Sequence, residues 1–140
     1  MITGVNIFET RSYSLKRDTE GEKTIFEIGL LDNQIKSQIL DKITDFAIGS
    51  DTPEDPAKIS LRGNEKNLAI VKYGVRDIKN LMDPQTKKIV VIKFDVINKF
   101  GKSYNVLPDS VLNMLTLEDI IELAGQVMKE TELPAEAEKN

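Results

Sequence analysis

The sequence predicts an α+β fold in which two β-hairpins pack with three to four amphipathic helices and the C-terminal part is helical. Three observations carry this expectation. Two β-prone stretches each double back across a turn-rich interruption, around Gly21 and around Gly101. From Leu31 the apolar residues recur every four positions, the spacing of one helix face. A further stripe between residues 117 and 128 has the same helical spacing. With 140 residues, 40% of them hydrophobic, the chain is long enough to bury one core. The expected organisation is one α+β domain over residues 1–129 and an acidic flexible tail over 130–140.

The first hairpin spans residues 13–28. Tyr13 and Leu15 lead into a charged turn around Gly21, and Phe26 and Ile28 alternate with Ile25 and Glu27 so that the second strand has one apolar face. Gly29 ends it. The following helix carries Leu31, Ile35, Ile39 and Ile43, widened by Leu40, Phe46 and Ala47, with Asp32 as its N-cap and Gly49 as its stop. Residues 50–58 hold two prolines and three acids and read as a surface loop. Ile59 and Leu61 are expected to be extended, Asn64 to cap a helix through Leu68, Ala69 and Val71, and Gly74 to end it in the left-handed region.

Residues 75–83 read as an irregular connector carrying Val75, Ile78, Leu81 and Met82. The nearly continuous apolar run over residues 89–97 is then either a central strand or an edge awaiting another chain. The turn at residues 98–102 reverses it into residues 103–107, the second hairpin, which Pro108 closes. Asp109 or Ser110 is expected to cap a short helix bearing Val111, Leu112, Met114 and Leu115, and Thr116 to cap the last one. That helix carries Leu117, Ile120, Ile121, Ala124, Val127 and Met128, with Glu118 and Asp119 at its start and Lys129 near its end, as the helix dipole favours. Pro134 is expected to break any continuation.

Composition removes most routes to chemistry. There is no cysteine, hence no disulfide or thiolate site, and no histidine, the commonest general base and metal ligand. Asp41 with Asp45 and Glu118 with Glu122 lie four apart opposite the apolar stripes, where a solvated surface accounts for them. Asp51, Glu54 and Asp55 lack the alternating ligands, central glycine and final glutamate of a calcium loop. No nucleophile elbow or supported Ser-x-x-Lys occurs, and Gly63, Gly74 and Gly101 are too scattered to cradle a phosphate. No catalytic residue, cofactor or metal is therefore expected.

The 19 basic and 23 acidic residues give a net charge of −4, against a nucleic-acid partner. Lys16, Arg17, Arg62, Lys66, Lys72, Arg76 and Lys79 have no aromatic interleaving beyond Tyr73. The N-terminal residues show no signal-peptide pattern, and no apolar run has the length of a membrane span. The expectation is a protein of the cytoplasm or of a viral particle assembled there. What remains is apolar surface: Ile78, Leu81 and Met82 in the connector and Leu133 in the tail either fold over the core or form a docking surface for another protein.

The whole-chain pattern resembles the small tail assembly chaperone-like proteins of long-tailed bacteriophages. The residues that carry it are Thr24-Ile-Phe-Glu-Ile-Gly-Leu-Leu-Asp32 entering a helix and Val71-Lys-Tyr-Gly-Val-Arg-Asp-Ile-Lys-Asn80 with Asp83 soon after. Pro108-Asp-Ser-Val-Leu and the ending Leu133-Pro-Ala-Glu-Ala-Glu-Lys-Asn140 complete it. Ile78 stands where the family carries a tryptophan. The resemblance implies a non-enzymatic role in the bacterial host cytoplasm, binding the tape measure protein and tail tube subunits transiently during tail assembly, with homo-oligomers as a further possibility. The alternative is a structural virion subunit, of the tail or the head–tail connector, that stays in the particle.

Overall fold

In the computed structural model the backbone is described over residues 1–48 and 56–138, and side chains are described outside residues 42–62 and 133–140. Strand β1 (Thr10–Tyr13) pairs antiparallel with β2 (Ile25–Gly29), and β2 pairs on its other side with β3 (Val75–Lys79). As the central strand, β2 buries Phe26 and Ile28 on one face and turns Glu27 to the other, where it accepts hydrogen bonds from Ser12 and Thr10 across the pair. The first hairpin is therefore as expected, with Gly21 in its connection at a φ of 70°.

Helix α1 (Asn33–Ile48) follows, capped by Asp32, whose carboxylate accepts from the Ile35 amide at 2.9 Å. Leu31, Ile35 and Ile39 are buried; the expected stripe positions Ile43, Phe46 and Ala47 and the stop at Gly49 lie outside the described side chains or residues. Helix α2 (Pro56–Gly74) differs from expectation. Residues 56–58 belong to it rather than to a loop, Ile59 and Leu61 are helical rather than extended, and Asn64 is interior rather than a cap. Proline at the first helical position loses nothing, because its missing N–H would have had no partner there. Gly74 is not left-handed. It is small because α2 crosses α4 there: a Cβ on Gly74 would fall 2.4 Å from a methyl of Val127.

The expected connector is largely strand β3. Val75 and Ile78 are both buried although three positions apart, because the register slips between Glu27 and Ile28 and leaves Arg76 as the extra residue of a bulge. Beyond β3, Asn80 is left-handed at a φ of 63°, and residues 83–88 close a tight turn in which the Asp83 amide donates to the Lys88 carbonyl. Met82 and Ile89 form an isolated antiparallel bridge. The run over residues 89–97 is not a central strand; regular pairing starts only at β4 (Asp95–Lys99), which joins β5 (Lys102–Val106). Phe100 and Gly101 make the two-residue turn, both at positive φ, 55° and 71°.

The inner face of this hairpin lies over α1 and α2. Lys99 donates to Gln38 and Lys102 to Gln34, while Tyr73 and Tyr104 meet edge to face with centroids 5.9 Å apart. Helix α3 (Asp109–Leu112) is capped by Pro108 with no side-chain hydrogen bond, so neither Asp109 nor Ser110 is the cap. Thr116 and Asp119 exchange side chain-to-amide bonds of 3.0 and 3.1 Å, the capping box that starts α4 (Leu117–Glu138).

The core joins Phe26 and Ile28 of the sheet to Ile70 and Val71 of α2 and to Leu123 and Val127 of α4, all almost fully buried. Helix α4 does not end at Pro134, and Lys129 is not in its last turn. Residues just past 129 contact the first part of the chain. Thr131 accepts from the Leu31 amide at 3.1 Å and donates to the Val127 carbonyl, and Glu130 pairs with Arg11 at 3.2 Å. A proline removes one helical hydrogen bond and crowds one turn, which an anchored helix tolerates. Among the described residues no helix is long and apolar enough to cross a membrane.

Candidate interaction surface

Two polar networks tie distant elements together. In the first, the Tyr104 hydroxyl donates to Asp32 at 2.6 Å, joining the second hairpin to the start of α1, with the Lys102 ammonium 4.0 Å away. Burial works to raise the Asp32 carboxyl, but the Tyr104 hydroxyl, the Ile35 amide and Lys102 outweigh it and hold the carboxyl below its ordinary value. The Tyr104 hydroxyl is pushed up to about 12, by burial and then by Asp32. In the second, Arg17 clasps Asp119 through two bonds of 2.8 Å each. That guanidinium holds the Asp119 carboxyl below the usual range despite its burial, with 2% exposure. Asp119, expected only as a first-turn acid that suits the helix dipole, is thus also buried and paired. Tyr13 donates to Glu122, and burial followed by that carboxylate pushes its hydroxyl up to about 12.

Among the described residues, each shifted carboxylate is lowered and each shifted tyrosine is raised, away from the neutral range in which a proton-transfer group works. These groups fasten β1, α1, α4 and the second hairpin in place. A pocket of about 430 Å³ lies between the hairpin and the N-terminal segment, lined by Ile7, Phe8, Asp32, Tyr73, Arg76 and Tyr104. The Arg76 guanidinium packs over Gly29, donates to the Leu30 carbonyl at 2.6 Å and leaves its buried Nε without a partner. Burial draws its proton affinity below the ordinary arginine value, against the pull of Asp32. Among the described residues no three metal-ligating side chains cluster.

The expected docking residues fall in different places. Ile78 is 6% exposed and packs in the core opposite Phe26, so it offers no surface to a partner. Leu81 is half-buried against the core, Met82 is 59% exposed, and the side chain of Leu133 lies outside the described residues. Met82 and its bridge partner Ile89, also 59% exposed, project to one side, and Val91, 87% exposed, follows Ile89 by two residues on that side. Val96 and Phe100 add exposed apolar surface on the second hairpin. Exposed and half-buried residues alternate strictly from Ile89 to Phe94 in the fold, but the sequence there is a nearly continuous apolar run that carries no such alternation.

No protein-family model, no curated protein and no solved structure matches this chain.

Proposed function

We propose that this protein is a non-enzymatic assembly chaperone of long-tailed bacteriophages, binding the tape measure protein and tail tube subunits transiently in the host cytoplasm while the tail is built. The observation that carries this reading is the exposed apolar row of Met82, Ile89 and Val91. An exposed row of this kind on a protein with a net charge of −4 suits reversible binding: apolar contact supplies affinity, and charge supplies solubility and release. The whole-chain resemblance in the segments around Phe26, Tyr73 and Pro108 supplies the biological setting. The two polar networks favour the same reading, since their carboxylates and tyrosines are engaged in holding elements together.

Co-expression with the tape measure protein and the tail tube protein of the same phage, followed by pull-down and light scattering, tests this. The expected result is a soluble complex with the tape measure protein, lost when Ile89 and Val91 are both replaced by aspartate. A tape measure protein that aggregates equally with and without this chain overturns the proposal. Rings or tubes formed by this protein alone favour the structural virion subunit instead.

A further inference from the structure

We infer that residues 89–94 are a strand lacking its partner, and that the protein grips an extended, acidic segment of another chain by adding it as a strand along this edge. This deepens the proposed chaperone role and rests on it. The stretch Ile89-Val-Val-Ile-Lys-Phe94 has the β-branched and aromatic composition of a strand. It also alternates like one: Ile89, Val91 and Lys93 face out, while Val90, Ile92 and Phe94 are half-buried. At its start it is paired, through the Met82–Ile89 bridge and the Val90 amide donating to the Leu81 carbonyl at 2.7 Å. At its end it runs into β4.

Between those points, Val91, Ile92, Lys93 and Phe94 make no hydrogen bond among the described residues. A strand-like segment with unmade backbone bonds is the template used in strand addition, where main-chain bonds give affinity and alternate side chains give selectivity. The charge around it selects the occupant. Lys87, Lys88 and Lys93 are exposed and form no ion pair among the described residues, so the segment is flanked by free positive charge on an otherwise acidic protein. An incoming strand with aliphatic residues against Ile89 and Val91 and carboxylates near both ends matches this edge. A basic segment would meet repulsion there.

The test uses the full chain and a labelled peptide, Glu-Glu-Val-Thr-Val-Thr-Val-Glu, read by fluorescence anisotropy and by amide hydrogen exchange. The Val90 amide points to Leu81, so the amides of Val91 and Lys93 point to the opposite edge, and binding is expected to slow exchange at these two. Val91→Pro removes an N–H that has no partner among the described residues, and is expected to weaken binding by about tenfold or more. Lys88→Glu with Lys93→Glu is expected to reject this peptide and accept its counterpart with lysine in place of glutamate. If the proline variant does not fold, this charge exchange decides alone. The inference is overturned by no binding, by protection confined to other amides, or by equal binding of the acidic and lysine peptides to the parent protein. Capture of the tape measure protein that is unchanged by both sets of substitutions overturns strand addition and leaves the chaperone role standing. Peptide binding as described without capture of the tape measure protein has the opposite meaning.

Discussion

Gly74→Ala probes the closest approach of α2 and α4. Gly74 is the last residue of α2, and its φ is not positive. At such a position alanine normally gains up to about 1 kcal/mol over glycine. Here the added Cβ would lie 2.4 and 2.5 Å from the two methyls of Val127 and 3.0 Å from its Cβ. Val127 is fully buried and, being β-branched on a helix, has one strongly preferred rotamer, so its methyls have nowhere to swing. The helices must part instead. Overpacking a core by a methyl costs about 1–3 kcal/mol, and at this separation the upper half of that range applies. After subtracting the propensity gain, a net loss of about 1–2 kcal/mol is expected.

Val127→Ala alone should also destabilise, by roughly 0.8 kcal/mol per buried methyl plus a cavity contribution. Combined, the new methyl enters the vacated space, so the double variant should be more stable than the sum of the two losses implies by about 1 kcal/mol or more. Urea unfolding followed by circular dichroism measures all four corners of this cycle, with unchanged m-values as the check on two-state behaviour. Stabilisation by Gly74→Ala, or free energies that add to within about 0.5 kcal/mol, would refute the helix contact.

Other substitutions test the fold and the surface separately. Ile78→Ala should cost about 2–5 kcal/mol as a core truncation, whereas Met82→Ala should stay within about 0.5 kcal/mol; chemical denaturation distinguishes them. Phe100→Asn should gain about 1 kcal/mol in thermal melts, because the side chain stands at a φ of 55° in a turn that suits asparagine. Asp32 and Asp119 have folded values below the ordinary 3.8, so their contribution is complete above that value and is lost as pH falls through the lower folded values. Tyr13 and Tyr104 are raised from 10.0 to about 12, so the folded state holds their protons longer and stability should fall between those limits as pH rises. Acid and alkaline titrations of circular dichroism and tyrosinate absorbance follow both.

Much of this architecture was legible because its signals are local. The alternation around Phe26, the Asp32 and Thr116 caps and the stripe of α4 each depend on residues a few positions apart. Strand β3 was not legible, since the bulge at Arg76 puts its two buried residues three apart and erases the period of two. Helix α2 was obscured at its start, where Pro56 is an entry signal as readily as a loop signal. The exposed apolar row was only half readable. Exposed and buried apolar residues are identical in sequence, and what separates Ile78 from Ile89 is a tertiary fact: one faces Phe26, the other water. The Arg17–Asp119 clasp joins residues far apart in sequence and left no local trace beyond the Thr116-x-x-Asp119 capping pattern.

Transient action in assembly is tested most directly by quantitative mass spectrometry of infected cells and of purified particles from the same culture. A chaperone should be abundant in the lysate together with the tape measure protein and essentially missing from the particles. Recovery from purified particles in fixed stoichiometry with the tail tube protein would contradict the proposed role.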